Sequence, residues 1–175
     1  MRKTKKITVS AMMCALGIAF MTVGYFVEAL DLTACALVSL IVALVYVEIG
    51  SPYTYLVWIC TSLLSFLFFS AKPSLWLTYF LVFGIYPILK AYIEKLIRPL
   101  WIVLKLVYLN AVLVALFFIF EFIFMTPFFD VEGTWIKAAV WALMNVAFIA
   151  YDLFITVLMR LYALKYRKIF SKFFK

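Results

Sequence analysis

The chain alternates long apolar blocks with short polar breaks. At about 20 apolar residues per crossing of a hydrocarbon layer about 30 Å thick, the blocks predict six transmembrane helices. They cover residues 7–30, 32–49, 53–70, 74–94, 100–125 and 135–161. Gly50-Ser51-Pro52 and Ala71-Lys72-Pro73 separate three of them with turn-forming residues. The fourth block runs on through Lys90, Tyr92, Glu94 and Lys95 as a more polar extension, until Arg98 and Pro99 stop it. The one substantial break is residues 126–134, TPFFDVEGT. No linker, low-complexity tract or internal repeat interrupts the pattern, so a single domain over residues 1–175 is expected: an all-α membrane protein with its six helices in a compact bundle.

Charge gives the pattern a direction. Arg2, Lys3, Lys5 and Lys6 precede the first block; Lys90, Lys95, Arg98 and Lys105 surround the fourth-to-fifth connection; Arg160, Lys165, Arg167, Lys168, Lys172 and Lys175 close the chain. An even number of crossings collects all of these on one side and leaves Lys72 and Lys137 on the other. Glu28, Asp31, Glu121, Asp130 and Glu132 gather on that other side. Cytoplasmic loops carry the cations, so both termini are expected in the cytoplasm, the aromatic and basic tail against the anionic inner surface. Trp76, Tyr79, Trp101, Tyr108 and Trp135 fall near span ends, as an interfacial belt requires.

Composition narrows the function classes. The chain is 69% hydrophobic and 14% charged, against about 45–50% and 25% in a soluble domain. The net charge of +8 is accounted for by orientation rather than by nucleic acid, since no basic patch with interleaved aromatics lies outside the apolar blocks. Cys14, Cys35 and Cys60 are isolated inside apolar blocks and read as small packing residues. Histidine is absent, which removes the commonest metal ligand and general base. The first block is longer than the core of a signal peptide, and no small-x-small cleavage site precedes Asp31, so it is expected to be retained.

Polar groups inside spans are the candidates for function, because a charge there costs about 2.5–3.5 kcal/mol on insertion scales. Trp141, Asn145, Ile149 and Asp152 fall on one face of the sixth helix, and Asn110 lies in the inner half of the fifth. Asp152 is expected to pair with Arg160, Lys105 or Lys90. These groups act either as hydrogen-bonding glue between helices or as a ligand or relay site. On the outer side, Glu28, Asp31 and Glu121 are candidate substrate contacts, with Asp130 and Glu132 beside Phe128, Phe129 and Trp135 as an aromatic-acidic lid; simple solvated ends are the alternative. Pro87 predicts a kink in the fourth span, with Lys90 and Glu94 one helical turn apart and able to pair. Nothing looks catalytic: there is no phosphate loop, GxSxG, HExxH or Cys–His pair, and no cofactor is implied.

The first span carries Ala11, Ala15 and Ala19 four residues apart, a smooth stripe that lets another helix approach closely. A basic start, then ITVSAMMCALGIAF with its Ala11-x-x-x-Ala15 pair, then six spans in under 200 residues, resembles the S-components of energy-coupling factor (ECF) transporters. These are six-helix membrane proteins that bind vitamins or other micronutrients. The resemblance implies that Ala11 and Ala15, extended by Ala19, dock a transmembrane coupling subunit driven by two ATPases. It implies that substrate is held near the outer side by the later helices and the fifth-to-sixth loop. Glu28, Asp31, Glu121, Trp141 and Asn145 are then the expected substrate-binding residues, in a multi-pass protein of a bacterial plasma membrane. The acidic mouth favours a cationic or amine-bearing ligand, and the lack of histidine sets the chain apart from histidine-led metal binders. The alternative, from another class, is a membrane scaffold resembling the rod-shape protein MreD, which binds proteins and no solute.

Overall fold

The computed structural model describes residues 3–96, 98–129 and 133–166. Among them there is no strand. The helices are α1 (Lys3–Phe26), α2 (Asp31–Glu48), α3 (Ser51–Phe68), α4 (Pro73–Thr78), α5 (Tyr86–Ile93), α6 (Arg98–Phe118) and α7 (Thr134–Leu161). Three wider π turns, Tyr79–Gly84, Ile119–Ile123 and Tyr162–Tyr166, interrupt or extend them. Among the described residues six stretches are long and apolar enough to cross a membrane: Lys3–Phe26, Glu28–Glu48, Ser51–Phe68, Pro73–Ile93, Leu100–Ile123 and Thr134–Lys165. That fits a multi-pass membrane protein. The acids Asp130 and Glu132 and the tail cations Arg167, Lys168, Lys172 and Lys175, as well as Arg2, lie outside the described residues.

The chain divides into two compact units, one of Met1–Tyr92 with Thr156–Lys175 and one of Ile93–Ile155. In the first, α1 packs against α2 and α3. Its buried positions are Ser10, Cys14, Gly17, Met21 and Gly24, alternately four and three apart and therefore on one face. The glycines set the spacing to α2. A Cβ on Gly24 would stand 2.7 Å from the Ala34 Cβ, and one on Gly17 would stand 3.1 Å from Val38. This tight crossing needs a short connection. The chain turns extended at Val27 (φ −117°, ψ 94°) and makes a single 3₁₀ turn, Glu28–Leu30, before α2. The first helix therefore ends at Phe26, not at residue 30, and it starts one turn earlier than its apolar run, within the lysines. Gly50 (φ +102°) makes the α2–α3 turn in a conformation that other residues adopt only with strain.

α3 is apolar towards its surroundings and hydroxylic inside. Thr54, Thr61, Ser62 and Ser65 are buried with Val57, while Leu56, Ile59, Leu63, Phe66 and Leu67 are exposed. Small hydroxyl residues let membrane helices come close where large apolar ones would only replace lipid contacts. The fourth span is α4 and α5 joined by the π turn Tyr79–Gly84. The break expected at Pro87 is thus made upstream of it, and Pro87 lies one residue inside α5, where its missing N–H is harmless. The π turn leaves the Phe80 carbonyl open to the Trp58 indole N–H at 3.3 Å, with the two rings stacked 5.3 Å apart. A Cβ on Gly84 would meet Trp58 at 2.6 Å.

Side-chain bonds tie one end of this unit together. The Lys6 Nζ donates to the Ile49 carbonyl at 3.5 Å, Lys90 to the Thr156 hydroxyl at 2.7 Å, and the Tyr162 hydroxyl to Glu48 at 3.1 Å. The two ends of the chain described here, the α2–α3 turn and the end of α5 therefore share one side. At the opposite end Lys72 pairs with Asp31 at 2.8 Å, joining the starts of α4 and α2.

In the second unit α6 and α7 face each other antiparallel, through bonds between Lys105 and Asp152 and between Asn110 and Asn145. The fifth span ends in the π turn Ile119–Ile123, short of residue 125. The Phe124 N–H reaches the Ile119 carbonyl at 3.2 Å and the Thr126 N–H reaches Phe120 at 3.0 Å, so the helix widens and stops. Phe128 then folds back against Phe117 and Phe120. Gly133 (φ +105°) leads into α7, its carbonyl accepting from the Lys137 N–H at 3.1 Å.

Candidate functional site

Two polar layers cross the α6–α7 pair. The one nearer the start of α6 is ionic. The Lys105 Nζ donates to Asp152 Oδ2 at 2.8 Å and to Oδ1 at 3.0 Å, and to Glu94 Oε1 at 3.0 Å. Lys105 is only 7% exposed. Of the three cations the sequence offered Asp152, Lys105 holds it in a two-pronged grip, while Arg160 is exposed on α7. Charged partners this close, in so apolar a stretch, interact strongly and are costly to separate. Glu94, the residue expected beside Lys90, shares Lys105 as well.

The second layer is neutral. Asn110 lies five residues along α6 from Lys105, and Asn145 seven residues back along α7 from Asp152, which sets the layers about 8–10 Å apart. The Asn110 amide N–H donates to Asn145 Oδ1 at 2.8 Å and to the Leu106 carbonyl at 2.9 Å. The Trp141 indole N–H donates to Asn110 Oδ1 at 2.8 Å, and the Asn145 amide donates to the Trp141 carbonyl at 3.0 Å. Every polar side-chain atom of these three residues is therefore used. Above them Phe129 lies 6.3 Å from the Trp141 ring and 4.9 Å from Phe128. Of the lid aromatics named from the sequence, Phe129 stands beside Trp141 and Phe128 beside Phe129, while Trp135 is exposed.

The other predicted contacts are distributed differently. Trp141 and Asn145 are brought together. Glu121 is exposed within the π turn at the end of its span, with two helical residues after it rather than four. Glu28 is exposed in the 3₁₀ turn, and Asp31 is already neutralised by Lys72 at 2.8 Å. Ala11, Ala15 and Ala19 are all exposed on the face of α1 away from its packed residues. Among the described residues no group of three or more His, Cys, Asp or Glu is placed to hold a metal ion.

Two features escaped the reading by pattern. The Lys105–Glu94 pair joins residues from separate blocks, and its one trace in the sequence is a lone lysine inside WIVLKLVYLN. The hydroxylic face of α3 was legible in Thr54, Thr61 and Ser65, spaced seven and four apart, had the polar residues of that span been placed on a helix. Comparison with protein-family models, curated proteins and solved structures returned no match to this chain.

Proposed function

We propose that this chain is the substrate-binding subunit of an ECF-type importer of a vitamin or similar micronutrient, energised by partner ATPases and itself without catalysis. The observation that carries the reading is the Ala11, Ala15 and Ala19 stripe. Its residues are exposed, while α1 uses Ser10, Cys14, Gly17, Met21 and Gly24 for its own packing. Small residues spaced for helix contact are thus left unspent by the fold, as docking to another membrane helix requires. With the lysine-rich end in the cytoplasm, the amide layer falls near the middle of α6 and α7, on the outer side of the Lys105 layer, with Trp141 and Phe129 towards the side from which a substrate arrives. Asn110, Trp141 and Asn145 would then exchange their mutual hydrogen bonds for bonds to substrate, with Glu121 nearer the outer surface.

The test is affinity capture of the tagged protein from membranes of its own cell. ATPase subunits are expected to accompany the wild type and to be lost from the Ala11→Trp/Ala15→Trp variant. Undiminished association of the variant would end the docking assignment. Mass spectrometry of small molecules retained by the purified protein identifies the substrate.

A scaffold that binds proteins and no solute is the second reading, favoured by one observation: the Asn110, Asn145 and Trp141 groups satisfy one another, as helix glue does. A purified protein that retains no small molecule, yet captures proteins other than ATPases, would favour it.

A further inference from the structure

We propose that a groove between α1 and α2, lined also by Tyr162, seats the first part of an acyl chain of an anionic phospholipid, with the phosphate at Lys6 and Lys5. The groove is a cavity of about 70 Å³ lined by Val9, Met13, Leu44, Val45, Ile49, Glu48 and Tyr162. Pockets for drug-sized ligands run to about 300–1,000 Å³; this smaller aliphatic groove suits a short length of hydrocarbon. The walls are aliphatic apart from Glu48 and Tyr162, and these two are bonded to each other at 3.1 Å.

The headgroup assignment comes from the mouth. Lys6, Val9 and Met13 are spaced three and four apart, on one face of α1, so the lysine stands directly at the end of the aliphatic wall. Its Nζ lies 3.5 Å from the carbonyl of the wall residue Ile49 and 5.5 Å from the centre of the Tyr53 ring. Lys5 is one turn from Val9. Lys3, Lys5 and Lys6 make no ion pair with any described carboxylate, and the nearest acid on the wall, Glu48, accepts from Tyr162. Among the described residues Lys3, Lys5 and Lys6 outnumber the one carboxylate on the wall, Glu48, and this excess of positive charge at the end of an apolar groove suits an anion that brings its own hydrocarbon, an anionic phospholipid. The groove, its lysines and Tyr162 belong to the first unit and do not depend on transport.

The experiment is native mass spectrometry of the detergent-purified full chain, equilibrated with equal amounts of phosphatidylglycerol and phosphatidylcholine of the same acyl chains. The wild type is expected to retain phosphatidylglycerol in about tenfold excess, as two cations near one phosphate lead one to expect. Lys5→Gln/Lys6→Gln should bring the two lipids to near parity, while Lys137→Gln, outside the groove, leaves the excess in place. Met13→Trp fills the groove and should reduce retention of both lipids; Leu44→Phe fills it from the other helix and guards against a folding defect in the first variant. Parity in the wild type, an excess that survives loss of both lysines, or unchanged retention in both filled-groove variants would each overturn the assignment.

Discussion

Lys105 is the residue on which most of the second unit's electrostatics rests. It is buried and held by Asp152 and Glu94 at 2.8–3.0 Å. Removing one member of a buried ionic set leaves the rest uncompensated, at a cost of about 3–5 kcal/mol. Lys105→Met is therefore expected to destabilise the protein by that order, and Lys105→Arg to retain most of the stability, measured by thermal unfolding in detergent. A loss below about 1 kcal/mol for the methionine variant would mean that the acids are solvated. The amide layer should be weaker. Asn110→Ala removes the acceptor of the Trp141 N–H and the partner of Asn145, yet single hydrogen bonds between membrane helices average about 0.6 kcal/mol and reach about 1.7. A loss of about 1 kcal/mol is expected, with a red shift of Trp141 fluorescence absent unless water enters. The acid–amine pairing of Asp152 was legible in the sequence, because a lone carboxylate in an apolar span demands a cation; the choice of Lys105 was not, because three lysines and arginines lay within reach along the chain.

At the scale of elements, two close approaches fix how the spans meet. α1 and α2 touch at Gly24, where an added Cβ would lie 2.7 Å from Ala34. Gly24→Leu should force the two helices apart and lower the unfolding temperature more than Ala15→Leu, since Ala15 is exposed. The fourth span bends around Trp58. Gly84→Ala places a methyl 2.6 Å from the indole and 2.9 Å from the Tyr79 carbonyl, so it is expected to destabilise, and Trp58→Leu should recover only part of the loss because the backbone contact persists. A full recovery in the double variant would mean that the indole alone sets the limit. The span boundaries were readable to within a few residues from the apolar runs and their glycine and proline breaks. The π turns at Tyr79–Gly84 and Ile119–Ile123 were not, since a π turn is a response to a neighbour such as Trp58 and has no sequence period of its own.

At the scale of the whole molecule, the even number of crossings is what gives every candidate group its side. In a variant whose three native cysteines are replaced by alanine, a single thiol at Lys3 or Lys165 is expected to react with an impermeant maleimide only in inverted vesicles. One at Lys72 or Lys137 should react in intact cells. The reverse pattern would turn the proposed mouth towards the cytoplasm and the lysine-rich groove towards the outside.

The amino-acid sequence by itself determined the solvent, the number of spans and their charge asymmetry. Those follow from transfer free energies summed along the chain, which need no knowledge of neighbours. Only the tertiary structure decided which face of each helix is spent. The faces of α1 are a case in point: glycines and Cys14 on one side are consumed by α2 and α3, and alanines on the other are left free. In lipid both faces are equally apolar, so hydropathy cannot tell them apart, and close packing between particular side chains makes the choice.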